Sequence, residues 1–268
     1  MSTKKDSGKY KLLVLIDLSQ ASEIALINAI QLAKVIDGRV EVLYVKAPAD
    51  VVKHENALSA MRTIHQDSRS TKAQLQEFIE GISAKEEYPI TSRIAYGNIK
   101  SSIKEHLSDS QPDIVVLGKR KSKLTNFLGK GITEFVLSEC NVNVLIVGED
   151  HKLHSFKDLS LGIYGNKVEE SNLGVINDLN KQTTKPLKLF SVRGPQDEAI
   201  EEESSTKETV SYVFSEGANA LDGLASYVLK TNTQLFCITK KQTKGLSFQP
   251  DSARQIAKKL DIPVLIMQ

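Results

Sequence analysis

Leu12-Leu13-Val14-Leu15-Ile16-Asp17-Leu18-Ser19, five apolar residues running into a short acidic and hydroxylic turn, decides how this chain is read. An unbroken apolar run, rather than an alternating one, marks a strand buried on both faces, as inside a parallel sheet. Downstream, Leu26, Ala29, Ile30, Ala33 and Ile36 recur at helical spacing, with Ser19 or Ser22 placed to cap the helix. A second apolar run, Val40-Glu41-Val42-Leu43-Tyr44-Val45, leads into a long helical pattern over residues 51 to about 85. A third strand falls near residues 93–96, and Ile99, Ile103 and Leu107 form the helix stripe after it. Residues 114–117 read as a strand, 133–138 as a helix and 144–147 as a fifth strand. Alternating strands and helices with right-handed crossovers predict an open, doubly wound sheet.

The pattern then returns. Leu159-Ser160-Leu161-Gly162-Ile163 and the run opening Leu187-Lys188-Leu189-Phe190 each stand 147 residues after the first and second strands, and Lys46-x-Pro48 is answered by Arg193-x-Pro195. Leu235-Phe236-Cys237-Ile238 follows Ile114-Val115-Val116-Leu117 by 121 residues, and Val264-Leu265-Ile266 follows Val144-Leu145-Ile146 by 120. The second copy is therefore shorter by about 27 residues, and an acidic stretch at 197–208 stands where the first has its long helix. The predicted fold class is α/β: two tandem, doubly wound, parallel five-stranded sheets, the second reduced. The expected division is a flexible tail at 1–9, a first domain at 10–148, a linker at 149–158 and a degenerate second domain at 159–268.

A length of 268 residues suits two domains. No run approaches the roughly 20 apolar residues of a membrane helix. A net charge of +2 gives no global signal for nucleic acid, and Lys119-Arg120-Lys121-Ser122-Lys123 lacks the interleaved aromatics of a single-strand binder. The polar, basic residues 1–11 do not resemble a secretory leader, and Cys140 and Cys237 lack metal-ligand spacing, so a reducing, cytoplasmic setting is expected. Cys237, inside an apolar run, reads as a buried thiol. His54 and His65, eleven apart in the long helical pattern, read as solvated positions; His151 and His154 fall in the linker. Without a nucleophile elbow, Walker loop or zinc pattern, no catalytic residue and no resident metal is assigned, and the expectation is a protein that is not an enzyme, a slow ATPase being the disfavoured alternative.

Open α/β sheets bind ligands beyond the carboxyl ends of their strands, where strand order reverses. Asp17, Leu18 and Ser19 fall there after strand one, and Val45 after strand two. After strand four come Gly118, Lys119, Arg120 and Lys121, then Gly129, Lys130, Gly131 and Thr133 at the opening of the next helix. Glycines at a helix N-terminus let an anion approach backbone N–H groups, the helix dipole favours negative charge there, and neighbouring cations add to it. Two readings stand side by side: a phosphate-binding loop, or a surface connection rich in glycine and lysine for solubility. Asp17 likewise either accepts hydrogen bonds from ribose hydroxyls or caps its own turn.

The run from Val14 to Ser19 with Ala25, Leu26 and Ala29, the strand Val42-Leu43-Tyr44-Val45, Tyr96-Gly97, and Pro112-Asp113-Ile114-Val115-Val116-Leu117-Gly118 together resemble universal stress protein domains. The resemblance covers 10–148 and, through the repeat, extends more faintly over 159–268. It implies an adenine nucleotide alpha hydrolase-like, Rossmann-like fold, with tandem domains paired through their last strands, 144–147 and 264–267, and two chains associating as a homodimer. In the nucleotide-binding branch it implies ATP with Mg²⁺, held by an aspartate after strand one and a G-x2-G-x9-G-[ST] loop after strand four. Carried over, the aspartate is Asp17, the adenine-side residue lies near Val45 and the first glycine is Gly118. The sequence departs at the second glycine, which is Lys121, and Gly131 is followed by Ile132 rather than a hydroxyl; counted back from Thr133, Lys130-Gly131 takes the glycine–hydroxyl place. At the 147-residue spacing Asp17 falls on Tyr164, and Gly118 falls on about Thr239, so no nucleotide is expected in the second half. The expected function is a non-catalytic stress-response binding and regulatory module holding ATP or another phosphate ligand in the first half. The alternative is a ligand-independent dimeric interaction protein with both sites decayed. Neither nucleic acid nor a membrane is an expected partner.

Overall fold

Leu12, Leu13 and Val14 are fully buried because the strand they form is covered on both faces. The computed structural model describes residues 8–47, 57–119, 129–148, 157–164, 173–194, 208–239 and 250–268. Its first half runs β1 (Tyr10–Ile16), α1 (Gln20–Ile36), β2 (Gly38–Lys46), α2 (Ala57–Glu86), β3 (Ile90–Tyr96), α3 (Ile99–Ser110), β4 (Ile114–Lys119), α4 (Gly129–Glu139) and β5 (Asn143–Gly148). The second runs β6 (Leu161–Tyr164), α5 (Leu173–Lys181), β7 (Leu187–Arg193), β8 (Thr209–Ser215), α6 (Ala220–Lys230), β9 (Leu235–Thr239), α7 (Pro250–Lys259) and β10 (Val264–Met267). Among the described residues no helix is long and apolar enough to cross a membrane.

The strands form one sheet in the order β3-β2-β1-β4-β5-β10-β9-β6-β7-β8, so each half carries the same five-strand order in mirror sequence about the middle. The two five-stranded sheets expected from the sequence are thus continuous. Their join is antiparallel, Val264 opposite Ile146, Leu265 opposite Leu145 and Ile266 opposite Val144, whereas the other neighbouring pairs are parallel. One face is packed by α1, α2 and α5, the other by α3, α4, α6 and α7.

Side chains lock the join. Helix C-termini leave carbonyls unpaired and attract cations. Lys119 Nζ, from the end of β4, donates to the carbonyls of Lys258 at 2.7 Å and Ala257 at 3.2 Å at the end of α7. In return Gln268 Nε2 donates to the carbonyls of Val142 at 3.1 Å and Cys140 at 3.4 Å beyond α4. On the other face Tyr10 Oη donates to Asp178 Oδ2 of α5 at 2.9 Å, and Lys9 joins the same carboxylate.

Strand pairing corrects the repeat. Leu12 pairs with Ile114 and Leu161 with Leu235; because Leu235 follows Ile114 by 121 residues, the counterpart of Leu12 is Leu161, 149 residues on, and not Leu159. Leu13 opposite Glu41 and Gly162 opposite Lys188 give the same 149-residue offset for β6. Tyr164 therefore stands in the place of Leu15. The counterpart of Asp17 is Asn166, which lies outside the described residues, as do 195–207, the greater part of the acidic stretch. In the first half α2 buries Thr71, Leu75, Ile79 and Ile82 against the sheet. On the corresponding face of β8 the residues matching Ile90 and Ile94 are Thr209 and Val213, the latter 52% exposed, so the strand has traded apolar for polar character at one of the two positions.

Candidate functional site

Asp17 ends β1, and its turn is built from its own side chain. Asp17 Oδ1 accepts from Ser19 N at 3.1 Å, Ser19 Oγ at 2.5 Å and Ser22 Oγ at 2.6 Å, while Asp17 N donates to Ser22 Oγ at 3.0 Å. Ser19 caps α1, its Oγ accepting from Ser22 N at 3.4 Å. Leu18 between them is forced to a φ of 61°, a left-handed conformation that costs a non-glycine residue energy and tends to mark constrained functional turns. Leu18 does not line the adjoining cleft; its backbone shapes the turn.

The cleft lies beyond the carboxyl ends of β1, β2 and β4, where the strand order reverses between β1 and β4. Its cavity volume is about 80 Å³, and it opens broadly to solvent. Its floor is apolar, with Leu15, Leu43, Val45, Ile99, Ile103 and Leu117, and its rim carries Asp17, Ser19, Ser22 and Thr133. Of the sequence-predicted site residues, Asp17, Ser19, Val45, Gly118 and Thr133 meet there. Ile132 lines the cleft beside Thr133, so the first turn of α4 presents both an apolar and a hydroxyl side chain. Lys119 is not among the lining residues, because its ammonium serves the α7 carbonyls. Gly129 and Lys130 open α4; the Lys130 side chain, with Arg120 and Lys121, falls outside the described residues.

The two glycines differ. A Cβ on Gly118 would lie 2.3 Å from the carbonyl oxygen of Ala21, so β4 needs glycine to pass under the first turn of α1. Around Gly131 nothing lies within 4 Å of where a Cβ would sit, and its φ is not left-handed. Packing among the described residues gives no reason for that glycine.

In the second half the counterparts of the floor residues Leu15 and Leu43 are Tyr164 and Phe190. Both rings are buried, Tyr164 at 4% exposure, where burial pushes its phenol up to about 12. Phe190 stacks on Tyr212 at 5.0 Å and meets Phe236 edge-on at 5.5 Å. Aromatic side chains occupy the floor positions that border open space in the first half. Cys237 of β9, in the core on the other face of the sheet, is buried, its thiol pushed up to about 12 by that burial.

Apart from Val45, the floor residues read from the sequence as core, and the sequence reading does not single out His106. His106, on α3, is buried at 4% exposure with Nε2 3.1 Å from Glu41 Oε1 of β2, and Glu41 Oε2 lies 2.7 Å from Lys11 Nζ of β1. Its place three residues after Ile103 on the apolar stripe of α3 was the available signal. His65 lies in α2 with its side chain outside the described residues, as are His54, His151 and His154.

An open parallel sheet wrapped by helices on both faces, with a cleft at the reversal of strand order, defines a Rossmann-like α/β protein of the nucleotide alpha hydrolase-like class. The family model described as the universal stress protein family matches residues 10–148, just over half of the sequence, and the chain belongs to that family. A universal stress protein from Archaeoglobus fulgidus superposes with a TM-score of 0.65 at 13% identity, covering 96% of this chain and 98% of that one. A functionally unknown protein from Pseudomonas aeruginosa gives 0.58 at 14% identity, with 99% and 94% covered. A putative universal stress protein from the same species gives 0.55 at 14% identity, with 98% and 94% covered. At these identities the structures speak for the fold alone. A search of curated proteins finds no match.

Proposed function

We propose that this chain acts in the stress response as a non-catalytic binding and regulatory module, holding a phosphate-bearing nucleotide, with Mg·ATP the first candidate, in the first half. The observation that carries this reading is the contrast between the halves: the cleft is open over Leu15 and Leu43, and its counterpart positions hold buried Tyr164 and Phe190. An apolar floor with a few polar groups at the rim is the ordinary make-up of a small-ligand site. The flat end of the ligand lies on Val45 and Leu43, the ribose near the Asp17 turn, and the phosphates toward Thr133 and the start of α4, where the helix dipole favours them. Gly131 then has a purpose, since a bare backbone lets a phosphate come close.

The test is calorimetric titration of the nucleotide-stripped chain with Mg·ATP, alongside Gly131→Ala. Alanine is a better helix former than glycine by at most about 1 kcal/mol, less in a first turn such as that of Gly131, so the variant keeps or slightly gains stability. Its Mg·ATP affinity falls at least about tenfold, equivalent to about 1.4 kcal/mol. Unchanged affinity would remove the phosphates from α4.

A second reading is a ligand-independent, homodimeric interaction protein. The observation in its favour is that Asp17 Oδ1 already accepts from Ser19 and Ser22, which gives the carboxylate a purely structural task. The sheet edges β3 and β8 are the surfaces open to a second copy. No heat of binding up to millimolar Mg·ATP selects this reading.

A further inference from the structure

The His106–Glu41–Lys11 cluster lies toward the opposite end of the sheet from the cleft, but shares a helix with it. Ile99 and Ile103 of α3 form part of the cleft floor, and His106 is one turn beyond Ile103 on the same buried stripe. The charges around the imidazole are already balanced without it. From β1, Lys11 Nζ lies 2.7 Å from Glu41 and donates to Ser110 O at 3.2 Å, while its backbone N–H donates to Asp113 Oδ2 at 2.7 Å. From β2 comes Glu41 itself, and from β3 the exposed Arg93 adds positive potential. On α3, Lys104, Glu105 and Asp109 are exposed. His106 Nε2 is within ion-pair distance of Glu41 but not aligned for a hydrogen bond, and Nδ1 meets no hydrogen-bond partner among the described residues.

The second half shows that the fold does not need this arrangement. There Lys188, the counterpart of Glu41, donates directly to the carbonyl of Thr231, the counterpart of Ser110, and the position of His106 is taken by Tyr227, which is 42% exposed. The lysine that caps the helix is kept, supplied from a neighbouring strand, while the carboxylate and imidazole belong to the half with the open cleft.

We propose that His106 is a proton-operated latch on α3: as neutral imidazole it lets the helix seat with Ile99 and Ile103 forming the cleft floor, and on protonation it unseats the helix and empties the cleft. A proton on His106 would add positive charge to a buried site whose facing carboxylate, Glu41, is already paired with Lys11, and an uncompensated buried charge is expelled at high cost. Burial holds the imidazole below its ordinary value, Glu41 opposes that shift, and Arg93 and Lys11 reinforce it. With a depressed folded value the unfolded helix binds the proton more readily, so the docking energy is present above about pH 6.5 and is lost as pH falls below it. The effect on the cleft rests on the ligand-holding reading; the unseating of α3 does not.

The experiment is amide hydrogen exchange of the full chain at about pH 7.5 and about pH 5.5, corrected for intrinsic rates, with Mg·ATP titrations at both. In the unmodified chain, protection across α3 falls on acidification by up to about tenfold, the ceiling for one imidazole of ordinary affinity near 6.5 read at about pH 5.5, while buried α1 amides hold. His106→Gln keeps its α3 protection at the lower pH. Mg·ATP affinity in the unmodified chain falls in proportion to the fraction of molecules that exchange shows with α3 unseated, and stays within about twofold in His106→Gln. Protection of α3 that is independent of pH, or an equal loss in His106→Gln, overturns the latch; α3 opening with affinity unchanged overturns its link to the cleft. If Mg·ATP does not bind at either pH, exchange alone still decides the latch. If His106→Gln fails to fold, the imidazole of the unmodified chain is followed by NMR: titration below about 6.5 coincident with α3 opening supports the latch, and titration above that value overturns it.

Discussion

Gly118→Val is expected to destabilise the chain by about 3 kcal/mol or more in denaturant unfolding, with or without ligand. The added Cβ would lie 2.3 Å from the oxygen and 2.6 Å from the carbon of the Ala21 carbonyl. Both atoms are backbone, so no side-chain rotation relieves the contact. The alternative is to push α1 outward, which uncovers Ile24, Ala25 and Leu26 and pulls on the turn that Ser22 ties to Asp17. Stability and ligand binding would be lost together, whereas Gly131→Ala separates them. A Gly118→Val chain within about 1 kcal/mol of the parent would show that α1 can back away and that this glycine has another purpose.

Leu265→Asp strikes the join between the halves and is expected to cost about 4 kcal/mol near neutral pH, the range of an uncompensated buried charge. Leu265 is 1% exposed, opposite Leu145 at 0%, in the apolar cluster that also holds Val147 and Met267. Its carboxyl would be raised above the ordinary carboxylate range, so the deficit shrinks as pH falls and the group goes neutral. Because β5 and β10 are the only adjacent strands that join the two halves of the described sheet, the parent is expected to unfold in one transition and the variant in two. A loss under about 1.5 kcal/mol in one sharp transition would mean that Lys119, Gln268 and the Tyr10–Asp178 contact hold the halves together without the strands.

Buried strands were readable because a two-faced parallel sheet leaves unbroken apolar runs, as in β1, β4, β5, β9 and β10. β8 was not, since Ser211 and Ser215 face solvent and interrupt the run Thr209-Val210-Ser211-Tyr212-Val213-Phe214-Ser215. The two-residue error in placing β6 has a specific cause. A slip of two leaves every side chain on its original face, so periodicity cannot detect it; only hydrogen-bonded partners fix the register. Correcting it moves Tyr164 from the aspartate's place to that of Leu15, so that two floor positions of the second half, at 164 and 190, carry buried aromatic rings.

At the site, Asp17, Ser19, Val45, Gly118 and Thr133 were legible because strand ends and helix starts fix where the carboxyl edge of the sheet falls. Leu15, Leu43, Ile99 and Ile103 were not recognised as cleft lining, since an apolar residue under a ligand has the same spacing as one under a helix. Lys119 pointed the wrong way for a local reading: its partners, Ala257 and Lys258, are about 140 residues distant in sequence and meet it only across the join.

Photo-crosslinking with 8-azido-ATP followed by peptide mapping shows which half holds a nucleotide. With the site in the first half alone, saturable label is confined to peptides from residues 10–148, around Val45 and Ile132, and is competed away by ATP. Saturable label in peptides from residues 159–268, or none competed by millimolar ATP, would contradict that placement.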